Sequence, residues 1–275
     1  MDEFTAGSLS TGARLIRERP LLVLLWTVVL MAQTVVFAAA AQEIRAGAQG
    51  AFLAGRFPSS VTGQLLSLNL VRLIVSLVIA ALMWSSAYRA VLRPADRRLV
   101  GLGPEELSVF GAWVVTQLVV GVVSAALQFV IIGQFAPMDV MLAVGAMMNA
   151  AAVVGAAGLF WSAVASVWAF ERRQIAPIRC WTIAGDRFWL LAALVLGVAI
   201  LEHLAGAGVS RLTAAPPGSN PLGVTAPHAD PFGVPALLQQ GLTAVLGALE
   251  IAFIAGIVAT AYRASRPVDQ AAAFV

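Results

Sequence analysis

The residues in this chain that could do chemistry lie inside long apolar stretches. Glu250 falls near the middle of one, Arg72 inside a second, and Glu202 and His203 inside a third. A charge at mid-bilayer costs about 2.5–3.5 kcal/mol on insertion scales, so a membrane protein keeps one only where it is neutralised or used. At about 1.5 Å of helix rise per residue, Glu250 is about 18 Å from Tyr262, Arg72 about 24 Å from Tyr88 and Glu202 about 20 Å from Trp189. A long arginine side chain bridges one helical turn, so an Arg72–Glu250 pair with Glu202 or His203 beside it is allowed. Two readings follow. Glu250 titrates under the influence of Arg72 in a proton- or ion-linked transport site. Alternatively, the pair is structural, fixing helix positions and sparing two isolated charges.

Other chemistry finds less support. The two histidines, His203 and His228, are too few for a histidine-rich metal site, and no metal or other cofactor is expected. No Gly-x-Ser-x-Gly elbow, phosphate-binding Gly-Lys loop or His-Glu-x-x-His helix occurs, so no catalytic residue is assigned and a non-enzymatic role is expected. Cys180, the single cysteine, excludes an intrachain disulfide and reads as a packed interfacial thiol. Asp96, Glu105 and Glu106 come nearest to a carboxylate cluster; beside Pro104 they read as solvated charges at a helix start. Asn69, Gln117, Gln128 and Asn149 suit interhelical hydrogen bonds, and the small residues Ala150, Ala151, Ala152, Gly155, Ala156 and Gly158 suit close helix packing.

The elements that hold these residues are set by composition. Hydrophobic residues make up 60% of the 275 and charged residues only 11%. That much apolar side chain cannot be hidden in one soluble core, so the expected solvent is lipid. Stretches of about 20 apolar residues cross a hydrocarbon core. Six occur, at 21–41, 68–88, 109–132, 140–169, 188–205 and 236–262, and predict one all-α integral membrane domain of six transmembrane helices. The first follows Arg14, Arg17 and Arg19 without a clear cleavage site and reads as a signal anchor. Residues 206–235 are rich in Pro and Gly and predict an irregular outer loop. Residues 42–63 suggest an interfacial helix around Phe52 and Phe57, and 133–139 a tight turn.

The basic residues are all arginine, and they fall on one side. Arg14, Arg17, Arg19, Arg89, Arg93, Arg97, Arg98, Arg172, Arg173, Arg179, Arg187, Arg263 and Arg266 flank the same ends of the spans; only Arg45, Arg56 and Arg211 flank the other. The positive-inside rule then puts both termini, 1–20 and 263–275, in the cytoplasm. With the Ala- and Arg-rich usage of a high-GC genome, the expected address is a bacterial inner membrane. Scattered arginine does not make a nucleic-acid stripe. Arg93, Arg97, Arg98, Arg172, Arg173 and Arg179 are instead candidate contacts to anionic lipid headgroups. Expected partners are membrane lipids, a second copy or another membrane protein. Trp84, Tyr88, Trp168, Phe170, Trp181, Trp189 and Tyr262 fall at the same boundaries and are expected to anchor the chain at the interface.

The boundaries also repeat. Ala87-Tyr88-Arg89-Ala90 with Arg93-Pro94 is echoed by Ala261-Tyr262-Arg263-Ala264 with Arg266-Pro267, and more loosely by Trp168-Ala169-Phe170-Glu171-Arg172. Each closes a hairpin of two spans preceded by a short basic, apolar segment, at 12–20, 97–107 and 175–187. This suits three parallel helical hairpins; it equally suits the arginine and aromatic chemistry common to inner boundaries. The basic segment 14–20, the Trp84-to-Pro94 boundary and the Cys180-Trp181-Thr182-Ile183-Ala184-Gly185-Asp186-Arg187-Phe188-Trp189 run together resemble six-span proteins similar to the membrane domain attached to some glycerophosphodiester phosphodiesterases. The resemblance covers residues 9–266. It implies a fold and a membrane address and brings no catalytic residue, because the phosphodiesterase catalytic domain has no counterpart here.

Overall fold

A computed structural model of the chain describes residues 3–53, 59–96, 98, 100–135, 140–175, 183, 185–213 and 232–272. Among the described residues there are seven α-helices: α1 (Glu3–Glu18), α2 (Pro20–Leu53), α3 (Ser59–Leu92), α4 (Pro104–Phe135), α5 (Val140–Arg172), α6 (Phe188–Thr213) and α7 (Val234–Ala272). A 3-10 turn, Gly185–Arg187, leads into α6. Six of the helices, α2 to α7, are long and apolar enough to span a membrane. The protein is therefore an all-α, six-span membrane protein. Helices suit lipid because each satisfies its own backbone polar groups.

The helices run past the predicted boundaries. Helix α2 continues through Phe52 to Leu53, so the segment expected to be a separate interfacial helix is, as far as Leu53, an extension of the first span; Phe57 lies outside the described residues. Helix α6 continues to Thr213, so 206–213 are helical where an irregular loop was expected, and 214–231 lie outside the described residues. Most of the 133–139 turn also lies outside them.

Local chemistry sets the breaks. Pro20 opens α2 at the first helical position, where its missing N–H costs nothing and its ring cannot continue the ladder of α1. Pro104 opens α4 in the same way, and the Gly103 N–H donates to Glu106 Oε2 at 2.9 Å, the reciprocal half of a capping box. Helix α5 ends where Arg173 turns left-handed, φ 53°. Its N–H then donates to Ala169 O at 2.9 Å, closing the last turn.

The chain divides into two compact units. The first contains Met1–Glu18, Ala80–Ala199 and Ile251–Val275. Its core comes from residues 81–91 of α3, 160–170 of α5 and 252–262 of α7, with Val109, Ala112 and Trp113 of α4 and Leu191 and Val195 of α6. Helix α1 lies against α7 through two glycines. A Cβ on Gly256 would sit 2.5 Å from the backbone N of Gly12, and Thr260 Oγ1 reaches Thr11 Oγ1 at 3.3 Å. The buried face of α1 is Ser8, Gly12 and Leu15, while Arg14 and Arg17 are exposed. Gly158 of α5 faces Val120 of α4 so closely that a Cβ there would lie 2.6 Å from Val120 Cγ2. The rest of the predicted small-residue seam behaves differently: Ala151, Ala152 and Gly155 are exposed, so the packing concentrates at Gly158.

The second unit contains Arg19–Ile79 and Ile200–Glu250. Small residues again let helices approach: a Cβ on Gly247 would lie 3.4 Å from Leu30 Cδ1, and one on Gly241 would lie 3.8 Å from Met31 Sδ. Ala244 and Ala248 are buried, as are Leu22 and Trp26. Most other apolar side chains of this unit are exposed or half-buried, as expected where lipid replaces water.

Candidate functional site

The densest polar cluster is in the first unit, where the end of α3, the start of α4 and the end of α5 meet. Arg89 is 6% exposed and Glu106 5% exposed, and the two form an ion pair. Arg89 Nε also reaches Asp96 Oδ2 at 3.4 Å. Beside this pair, Glu105 takes Arg93 at 3.5 Å and Arg173 at 2.6 Å, and Arg93 reaches Glu171 at 3.5 Å. The guanidinium of Arg93 lies 5.0 Å from the centre of the Phe170 ring, and that of Arg89 5.9 Å. Gly101 brings its backbone over Arg89; a Cβ there would lie 2.8 Å from Arg89 Nη2.

The sequence reading of these carboxylates is corrected here. Glu105 and Glu106 do stand in the first turn of α4, but Glu106 is not solvated. It is a buried counter-ion and also caps its own helix through Gly103. Its spacing did carry a signal, since a Glu two residues after a helix-opening proline occupies the capping position. Nothing in the sequence alone marks Arg89 as its partner.

The boundary aromatics are corrected as well. Trp84, Tyr88, Trp168, Phe170 and Tyr262 are buried rather than displayed at an interface. Trp84 stacks obliquely on Tyr88 and Trp113 at 5.7 and 6.0 Å, Tyr88 meets Phe170 at 6.1 Å, and the Tyr88 hydroxyl donates to Ala163 O at 2.7 Å. Of the expected anchors, Trp189 is exposed, at 81%, and Trp181 lies outside the described residues. The three repeated boundaries come together: Arg89 and Arg93 lie over Phe170, and Arg263 donates to Val91 O.

The arginines proposed for lipid headgroups divide. Arg93 and Arg173 share their charge with Glu105, though both remain partly exposed. Arg98 and Arg172 are exposed, Arg172 over the Trp168 ring at 5.5 Å. Arg97, Arg179 and Cys180 lie outside the described residues.

The intramembrane charges belong to the second unit. Glu250 and Glu202 are half-buried, and Arg72 and His203 are exposed. Glu202 lies near enough to Glu250 for the two carboxylates to repel. Among the described residues Arg72 forms no ion pair, so the pairing with Glu250 that the sequence allowed is not made. Nearby polar groups are bonded elsewhere: Gln33 Nε2 donates to Ser76 Oγ at 2.5 Å, and Gln239 Nε2 to Ser210 Oγ at 3.1 Å. Asn69 and Arg72 lie three and four residues apart from their neighbours in the series Asn69, Arg72, Ser76, which puts them on one face of α3. Among the described residues no group of three His, Cys, Asp or Glu side chains is arranged to hold a metal ion.

Chemically, the first cluster is a closed set of opposite charges, and the second holds like charges that form no ion pair among the described residues. No family model, no curated protein and no solved structure matches this chain.

Proposed function

We propose that this integral membrane protein is a non-enzymatic assembly protein of a bacterial inner membrane, with both termini cytoplasmic, that serves envelope homeostasis by gathering membrane components. The observation that carries this reading is the state of the carboxylates at the helix ends. Asp96, Glu105, Glu106 and Glu171 are each paired with an arginine, which leaves none of them uncommitted for acid–base work. A general base must be able to take up a proton from its substrate; these are held as structural counter-ions. The orientation rests on the one-sided distribution of arginine. Arg98, Arg172 and the Arg14 and Arg17 face of α1 are exposed and suit anionic headgroups.

One observation favours a second reading. Glu202 and Glu250 both lie inside spans, are half-buried and repel each other, and neither forms an ion pair among the described residues, as in a site that takes up a proton or small cation. On that reading the protein is a small ion-coupled permease using Glu250, Glu202 and Arg72. Labelling separates the two. A Glu250→Cys chain in a Cys180→Ser background, embedded in lipid, is treated with a small water-soluble thiol reagent. An assembly protein leaves position 250 unlabelled while native. Rapid labelling of the folded chain overturns the assembly reading and supports a watered pathway.

A further inference from the structure

We propose that the outer halves of α3 and α6 form a self-complementary interface, through which two copies of this chain pair, Arg72 of each copy meeting Glu202 of the other. The proposal deepens the assembly reading, on which it rests, by naming the first partner as a second copy.

Arg72 lies within the span Leu66–Leu92, is exposed, and has no ion-pair partner among the described residues. Glu202 lies within the span Phe188–Ser210, is half-buried, forms no ion pair among the described residues, and its charge acts on another carboxylate, Glu250. Among the described residues one copy therefore carries a cation on α3 and carboxylates on α6 and α7 that no ion pair joins. Intramembrane charges are kept where they face a partner of opposite sign or water, not hydrocarbon. The two sets lie at comparable distances from the ends of their spans. Arg72 is six residues from Leu66 and Glu202 eight from Ser210, about 9 and 12 Å at 1.5 Å per residue, a difference within the reach of an arginine side chain.

Symmetry makes the match economical. In an isologous interface the contact of residue i with residue j is made twice, so one twofold axis neutralises both Arg72 and both Glu202. The flanking surface is suited to burial. Leu70, Val71, Leu73 and Ile74 around Arg72 are exposed, as are Leu201 and Leu204 beside Glu202. Asn69, exposed on the Arg72 face of α3, and His203 supply polar side chains that hydrogen-bond across helices. A lipid phosphate reached by Arg72 alone would leave the Glu202–Glu250 repulsion in place; a second copy answers both.

The test uses charge reversal in the full chain. Particle mass is measured in lipid nanodiscs for the native chain, for Arg72→Glu, for Glu202→Arg and for the two variants co-expressed with different tags. The native chain is expected to be a dimer. Each variant alone faces like charge at both contacts and should weaken dimerisation by at least about tenfold. The co-expressed pair restores opposite charges at both contacts and should co-purify as a mixed dimer. If neither single variant folds, the Arg72→Glu/Glu202→Arg double variant must dimerise on its own. As a second measurement with native charges, an Asn69→Cys chain and a His203→Cys chain, both Cys180→Ser, are mixed and mildly oxidised; a disulfide between the two tags is expected. A monomeric native chain, a dimer indifferent to both reversals, or no disulfide overturns the proposal. A monomer whose position 250 stays unlabelled leaves the assembly reading standing, while rapid labelling there removes that reading as well.

Discussion

The two units treat polarity in opposite ways. In the first, Arg89 and Glu106 are buried and paired, Asp96, Arg93, Glu105, Glu171 and Arg173 add further ion pairs beside them, and the boundary aromatics pack into the core. In the second, Arg72 is exposed within its span and forms no ion pair among the described residues, and Glu202 and Glu250 repel. In the first unit opposite charges and aromatic rings close on one another where α3, α4 and α5 end or begin, while apolar side chains such as Leu118, Val122 and Phe129 remain exposed along the spans. The second unit shows no such closed set of charges among its described residues. Lipid chains are as apolar as leucine, so exposing apolar side chains there costs nothing; the charges are what remain to be satisfied.

Breaking that contrast gives a graded set of expectations. The largest effect is Arg89→Met. Leaving Glu106 buried without its cation costs about 3–5 kcal/mol, read as a lowered unfolding midpoint in detergent. The Arg89→Met/Glu106→Leu double variant should recover much of that loss, because a well-packed apolar pair can replace a buried ion pair. A double variant no better than the single one would mean that Arg89 works mainly through its contacts with Asp96 and Phe170.

The next effect compares glycines. Gly256→Ala forces a methyl group against the backbone of Gly12 and should cost about 1–3 kcal/mol. Gly241→Ala in the second unit meets only Met31 Sδ, at an ordinary contact distance. It should be neutral or stabilise the helix by up to about 1 kcal/mol. Equal losses at both sites would show that the second unit is as tightly built as the first. The smallest effect is expected for Glu250→Gln. It removes a repulsion and breaks no pair seen among the described residues, so the midpoint should hold or rise slightly. A marked fall would mean that the Glu250 charge has a partner essential to the fold.

Much of the architecture could be read from the residues. Six spans follow from apolar runs of the length a hydrocarbon core demands, and Pro104 marks a helix start because proline is best tolerated in the first turn. Ends past the apolar runs could not be read, since helices α2 and α6 continue into less hydrophobic sequence where nothing forbids a further turn. The candidate sites were legible in part. Glu250, Glu202 and Arg72 stand out because a charge inside an apolar run is rare and costly.

Which charge meets which was a different matter. Arg89 sits at a boundary where arginine is common, and only the meeting of α3 with α4 makes it the buried partner of Glu106. Trp84, Tyr88 and Phe170 have the composition of an interfacial belt and the positions of a core, because the face a ring presents depends on which helix lies beside it. The sequence by itself determined the solvent, the number of crossings and the one-sided arginine distribution, since these follow from the free energy of moving each side chain out of water. Tertiary structure alone decided that Arg72 and Glu250 stay apart while Arg89 and Glu106 close. Ion pairing acts over a few ångströms, and distances that short are set by packing.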